Sequence, residues 1–304
     1  MTQPANSLAR IDSTARWLAR EAVRALHAEL VLEPKPGLVS LRDTGSHADM
    51  HAGHFVRSLF ALRHYFAQMV RAGADGAPVA ELEQLGRQAE ARMLAATGGI
   101  NTHRGAIFIL GLLCASAGVR TAAGLPLDAM GLRQSLRAGW GEALRARAEI
   151  VRQQAPRSNG QRAACAHGLQ SAGDAAADGF PVLFDVSLPT LQRAQAAGWP
   201  DRRSRVQALF ATMAVLDDTN LVHRGGIEGL RDARQAARRF LCEGGASGTD
   251  WPERARTIHR AFVARRLSPG GAADLLGAAC WLARVTSVAT TATTPRGTVP
   301  AAVA

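Results

Sequence analysis

The sequence predicts an all-α fold: a single large multi-helix domain with loops at helix N-termini forming the active site. Three observations predict it: alanine and leucine dominate, β-branched alternation is scarce, and apolar residues recur at helical spacing. With 304 residues the chain can bury a substantial core. The domain is expected over 11–285. Residues 1–10 form a polar leader and 286–304 an Ala, Thr, Pro and Val tail without periodicity, and both are expected to be disordered.

The first helix is expected from about Ser13 to Leu32, where Trp17, Leu18, Ala22, Leu26 and Leu30 share a face, and it stops before Pro34. Glu33 to Gly45 is a loop because its two prolines forbid a helix. Ser46 to His54 then heads a second helix running to about Ala72, with His47, Asp49, His51 and His54 in its first turn and a half. On such a helix His47 and His51 stand four apart and could share a metal. Ala48, however, occupies the place of a zinc protease's base, and Asp49 would point about 200° away from His47. A phosphate or magnesium site therefore fits these residues better than zinc hydrolysis.

A third helix, Val79 to Ala96, carries Glu90 and Met93 into Thr97 to Gly111, T-G-G-I-N-T-H-R-G-A-I-F-I-L-G. Asn101 and Thr102 are capping residues, Gly98, Gly99 and Gly105 let backbone approach a ligand, and the apolar run from Ala106 must be buried. A buried helix opening on this loop offers unpaired N–H groups, a positive dipole end and the Arg104 guanidinium to an anion. A long amphipathic segment follows from about Leu127 to Gln154. Pro156 to Pro189 is irregular, either a linker or a loop lining the site. A helix from Arg202 to Leu216 then runs into D-D-T-N-L-V-H-R-G-G, and this run echoes the first loop: Asn220, His223, Arg224 and Gly225 repeat Asn101, His103, Arg104 and Gly105. Helices Ile227 to Leu241, Pro252 to Arg266 and Ala272 to Arg284 complete the domain, the last two joined by S-P-G-G at Ser268 to Gly271.

The formal charge of +11 raises nucleic acid as a partner. The arginines are dispersed over nearly every helix without interleaved aromatics, which argues against nucleic acid and leaves polyanionic small molecules. Among 36 basic residues only Lys35 is a lysine, so a compact ammonium is expected to be needed there. Cys114, Cys165, Cys242 and Cys280 lie far apart and are expected to be reduced core thiols of a cytoplasmic protein. No run of ~20 apolar residues is evident, and no membrane partner is expected.

Six blocks in order, K-P-G-L-V (Lys35 to Val39), G-S-H-A-D-M (Gly45 to Met50), E-x-x-M (Glu90 to Met93), T-G-G-I-N-T-H-R-G-A-I-F, D-T-N-L-V-H-R-G-G and S-P-G-G-A-A-D-L-L (Ser268 to Leu276), resemble the triphosphoribosyl-dephospho-coenzyme A synthases. The resemblance covers roughly residues 20 to 285. It implies an all-α enzyme that joins ATP to 3'-dephospho-coenzyme A, releases adenine, and supplies the prosthetic-group precursor for the acyl carrier protein of malonate decarboxylase or citrate lyase, with the malonate decarboxylase branch the closer. The product would pass to an acyl-carrier-protein-modifying transferase. Two positions depart from the family pattern. Ser40 stands where Asp is usual, and Gly173, Asp174 and Ala175 stand where R-G-E precedes G-F-P, so no chemistry is assigned to that segment.

For this reaction the catalytic candidates are His47, Asp49, Glu90 and His103. Lys35, Gly37, Asn101, Thr102, Arg104, Gly105, Asp218, Asn220, Arg224, Gly225, Ser268 and Gly270 are the candidates for binding ATP, and Asp49 and Asp218 for an inferred Mg2+. Two other readings use the same residues or the same charge: a magnesium-dependent helical hydrolase of nucleotide or ADP-ribosyl substrates, and a basic helical nucleic-acid-binding protein.

Overall fold

A computed structural model describes residues 3–154, 156 and 158–292, with side chains between 8 and 286. Thirteen α-helices and one π-helical turn carry the described chain, with no strand among these residues. The all-α expectation holds. α1 (Gln3–Leu30), α2 (Ala52–Leu62), α3 (Tyr65–Ala74), α4 (Val79–Thr97), α5 (Arg104–Ala122) and α6 (Ala129–Arg152) form the first half. α7 (Asn159–His167), α8 (Ala172–Ala177), the π-turn Leu183–Ser187, α9 (Leu188–Ala196), α10 (Asp201–Met213), α11 (Thr219–Cys242), α12 (Trp251–Ala264) and α13 (Gly270–Ala292) form the second.

α5 is the centre. By length and composition it could cross a bilayer, contrary to the expectation that no run would, but most of its residues are buried within the protein. α3 lies so close along it that a Cβ at Gly73 would come within 1.9 Å of the Ala115 carbonyl, and one at Gly118 within 1.9 Å of the Val70 carbonyl. Both positions must be glycine for the backbones to meet. α1 and α13 close the other side, where the Trp281 indole N–H donates to the Leu18 carbonyl at 3.1 Å.

Several boundaries differ from expectation, each for a local reason. α1 begins at Gln3 rather than near Ser13, in a stretch containing good helix formers. α13 runs past Arg284 to Ala292; residues 1–2 of the expected leader and 293–304 of the expected tail lie outside the described residues. The expected second helix is two, and Ser46 to Met50 precede both as a non-helical loop, because the His51 ring accepts the Gly53 N–H and caps α2. The helical-face argument for His47 and His51 therefore fails.

The irregular segment is neither a bare linker nor a bare loop. Ser158 with Gln161, and Ser171 with Asp174, form capping boxes that start α7 and α8, and short alanine-rich helices follow. α7 packs on α11 and α8 on α6, which makes this segment one side of the functional cleft. Asp174 accepts from Ser171 and from Arg152, so its carboxylate is occupied in structure. Of the cysteines, all free, Cys114 and Cys280 are buried as expected but Cys165 and Cys242 are exposed.

Candidate active site

A cleft of about 1240 Å³ opens where the first turns of α5, α7, α11 and α13 converge. Convergent helix N-termini direct free N–H groups and positive dipole ends into one space. His47, Asp49, Glu90, Asn101, Thr102, His103, Arg104, Gly105, Asp218, Asn220, Arg224, Ser268 and Gly270 all line it. Lys35, Gly37 and Gly225 do not.

Lys35 is the clearest correction. Its Nζ donates at 2.7 Å to the Glu29 carboxylate and at 2.8 Å to the Glu29 carbonyl, and the side chain is 1% exposed. Burial pulls the ammonium below its ordinary range, while Glu29 holds it up. A compact ammonium is indeed required here, but for a buried ion pair at the end of α1 rather than for a phosphate. Gly37 and Gly225 are needed for packing instead: a Cβ would lie 2.0 Å from the Leu267 carbonyl at Gly37 and 2.4 Å from the Leu267 side chain at Gly225.

Three separated blocks meet at His47. Arg224 donates to its Nδ1 at 2.9 Å, and its Nε2 lies 3.0 Å from the Ser268 hydroxyl. An arginine can only donate, so Nδ1 accepts and the ring proton sits on Nε2, pointed at Ser268. Burial first and the Arg224 charge second lower the His47 pKa to about 4, against a weak opposing pull from Asp49, whose carboxylate is 4.0 Å away and exposed. His47 is thus a neutral, oriented imidazole. Arg224 also donates to the Ser46 carbonyl at 3.0 Å, which ties α11 to the histidine loop.

Across the cleft, Arg104 donates through Nε to Glu90 at 2.6 Å, so the candidate base and the candidate phosphate ligand are each other's partners. Asn101 Oδ1 accepts the Arg104 N–H at 3.1 Å and starts α5. His103, the N-cap residue, is 3% exposed; its Nδ1 lies 2.7 Å from the Ser58 hydroxyl, while its Nε2 and the Thr102 hydroxyl are buried with no protein partner. Burial first, and the nearby Lys35 charge second, bring the His103 pKa down to about 3.

Asp218, the other carboxylate expected at magnesium, is buried and serves two helix caps. Its Oδ1 accepts the Asn220 N–H at 2.9 Å and its Oδ2 the Ala272 N–H at 3.0 Å, so one carboxylate caps both α11 and α13. Burial raises its pKa, opposed by those N–H groups. Gly270 and Gly271 sit close under these groups: a Cβ would lie 3.0 Å from the Asn220 amide or 3.1 Å from the Asp218 carboxylate. Among the described residues no three His, Cys, Asp or Glu side chains converge as a metal site.

Two residues of the floor escape sequence reasoning. Glu29 leaves its only signal in being an acid six residues before the lone lysine. Asp274 stands in S-P-G-G-A-A-D-L-L, where only Ser268 and Gly270 carry a binding expectation. Asp274 lines the cleft and accepts the Ala106 N–H, and burial, followed by the Glu29 and Asp218 carboxylates, pushes its carboxyl well above the usual range.

A family model described as "CitG: ATP:dephospho-CoA triphosphoribosyl transferase" matches residues 15–291. A protein of Azotobacter vinelandii (strain DJ / ATCC BAA-1303) is 41% identical over 282 residues, covering 90% of this chain and 92% of its own. One of Stutzerimonas stutzeri (strain A1501) is 39% identical over 282 residues, with 91% and 94% covered, and one of Acinetobacter calcoaceticus is 38% identical over 276 residues, with 91% of each covered. All three are named "Probable 2-(5''-triphosphoribosyl)-3'-dephosphocoenzyme-A synthase". No solved structure matches. A match that takes in every helix from α2 to α12, and all the residues that meet in the cleft, makes this chain a member of the CitG family of transferases.

Proposed function

We propose that the cleft binds ATP and 3'-dephospho-coenzyme A and joins them through the ribose carbon of ATP, releasing adenine and leaving the triphosphate on the product. The observation that carries this reading is the gathering of blocks from distant parts of the chain into one cleft that combines helix N-termini with Arg104 and Arg224. Helix N-termini and guanidinium groups hold phosphates without hydrolysing them. The cleft volume of about 1240 Å³ exceeds the ~300–1,000 Å³ typical of a single drug-sized ligand, as two nucleotide substrates require.

Neutral His47 and the Ser268 hydroxyl are suited to orient a substrate hydroxyl or phosphate oxygen by hydrogen bonds. Magnesium binds through one or two carboxylates together with substrate phosphates, and Asp49, exposed in the cleft, is the carboxylate free to meet it. Such an ion would neutralise triphosphate charge. The product would be consumed by a transferase that modifies an acyl carrier protein, of the malonate decarboxylase branch by the resemblance of the motif blocks, in the cytoplasm.

Incubation with ATP, a magnesium salt and dephospho-coenzyme A should yield free adenine and the coupled mass in equal amounts. Adenine formed without the acceptor would favour a hydrolase instead, and neither product would sink the reading.

A further inference from the structure

The carboxylates of the cleft are unequally committed. Glu29 holds Lys35, Glu90 holds Arg104, and both oxygens of Asp218 accept helix N–H groups. Asp49 is exposed. Asp274, set one turn into α13, receives the Ala106 N–H and is otherwise turned toward the first turn of α5. Its Oδ2 occupies the space that a side chain at residue 105 would need: a Cβ there would lie 2.0 Å from that oxygen. Gly105 is therefore the opening through which α13 delivers a carboxyl to the start of α5.

In that same turn the Thr102 hydroxyl and His103 Nε2 are buried and unpartnered. Buried polar atoms left unsatisfied are destabilising. The hydroxyl can donate or accept, and the imidazole edge does one or the other according to its tautomer; a purine, whose ring nitrogens accept and whose amino group donates, can satisfy the pair in either case, whereas phosphate oxygens only accept.

We propose that Asp274 is a catalytic residue, the general acid that protonates the departing purine while Thr102 and His103 hold its polar edge. The inference rests on the transfer reaction described above. As the bond from ribose C1' to the purine nitrogen breaks, its electron pair stays with the purine and the Asp274 proton neutralises it. A new bond forms from C1' to the acceptor hydroxyl oxygen. The hydroxyl proton balances the one delivered, so turnover neither consumes nor yields acid. The groups facing Asp274 are Glu29 from α1, Asp218 from the cap of α11 and the Ala106 N–H from α5, with Lys35 behind Glu29. The partly buried position and the two carboxylates favour the protonated form of Asp274.

Asp274→Asn tests this, because the amide keeps the shape and can still accept the Ala106 N–H but cannot deliver a proton. In the wild type kcat should fall toward alkaline pH as the acid is lost. In the variant kcat at neutral pH should drop at least about 100-fold, within the range for general acid catalysis, and the alkaline fall should vanish. The shape of the profile does not depend on how much of the variant folds. An alkaline fall retained in Asp274→Asn, or absent from the wild type, overturns the inference. A wild type that forms no adenine or coupled product from ATP and dephospho-coenzyme A overturns the reaction itself, which is a separate outcome.

Discussion

The two walls of the cleft, N-x-x-R-G from Asn101 and N-x-x-x-R-G from Asn220, are near copies in sequence and opposites in structure. At the first, Asn101 accepts the N–H of Arg104, the first residue of α5, His103 is sealed against Ser58, and Arg104 turns outward to Glu90. At the second, Asp218 is the cap, His223 bonds Asn159, and Arg224 reaches into the loop that carries His47. The offset explains the inversion. His103 is itself the N-cap of its helix, whereas His223 comes five residues after the Asp218 cap, already within α11 and just ahead of the kink at Gly226. A motif repeated in composition is not repeated in role when the helix starts at a different residue.

The comparison breaks most sharply at the caps. Asp218→Ala leaves the starts of two helices without a partner, so a loss of about 2–4 kcal/mol in urea denaturation is expected, whereas Asn101→Ala should cost about 0.5–1.5 kcal/mol. Equal losses would mean that Asp218 does not serve both helices.

The arginines come next. Arg224→Ala should raise the KM for ATP about 10- to 100-fold, because it removes a guanidinium and also frees the His47 ring to flip. Arg104→Ala should raise it less, about 3- to 10-fold, since that guanidinium is partly exposed and already shared with Glu90. Initial-rate kinetics decide the order, and a reversed order would shift triphosphate binding to the α5 wall.

The smallest effect is a slope. His103 has a folded pKa of about 3, below its ordinary 6.5. Between those values the unfolded chain carries a proton that the folded one lacks, so stability contributed by the neutral ring is complete above pH 6.5 and is lost as pH falls toward 3. His103→Gln should lessen the acid-side loss by up to about 1.4 kcal/mol per pH unit in denaturation curves, and an unchanged slope would show that the ring is not buried neutral.

How far the sequence could be read depended on what each residue's partner was. The helices were legible because caps and apolar spacing are local, and the T-H-R-G, D-T-N and S-P-G-G blocks were legible as cleft residues because they stand in one order with the other blocks that carry the family resemblance. Lys35 was correctly singled out and wrongly assigned, since its partner Glu29 differs from a phosphate only in the folded chain. Asp274 was passed over because nothing in its neighbours announces that α13 will carry it against Gly105. The middle segment looked irregular because its helices are short and set by capping boxes rather than by a long apolar stripe.

The buried Lys35–Glu29 pair gives the protein a built-in chemical reporter. Lys35 supplies the chain's only side-chain amine, and it is sealed beneath the cleft. An amine-acylating reagent can reach it only when the end of α1 parts from the following loop, so the rate of acylation measures how often the cleft floor opens, in a single residue and without any engineered label.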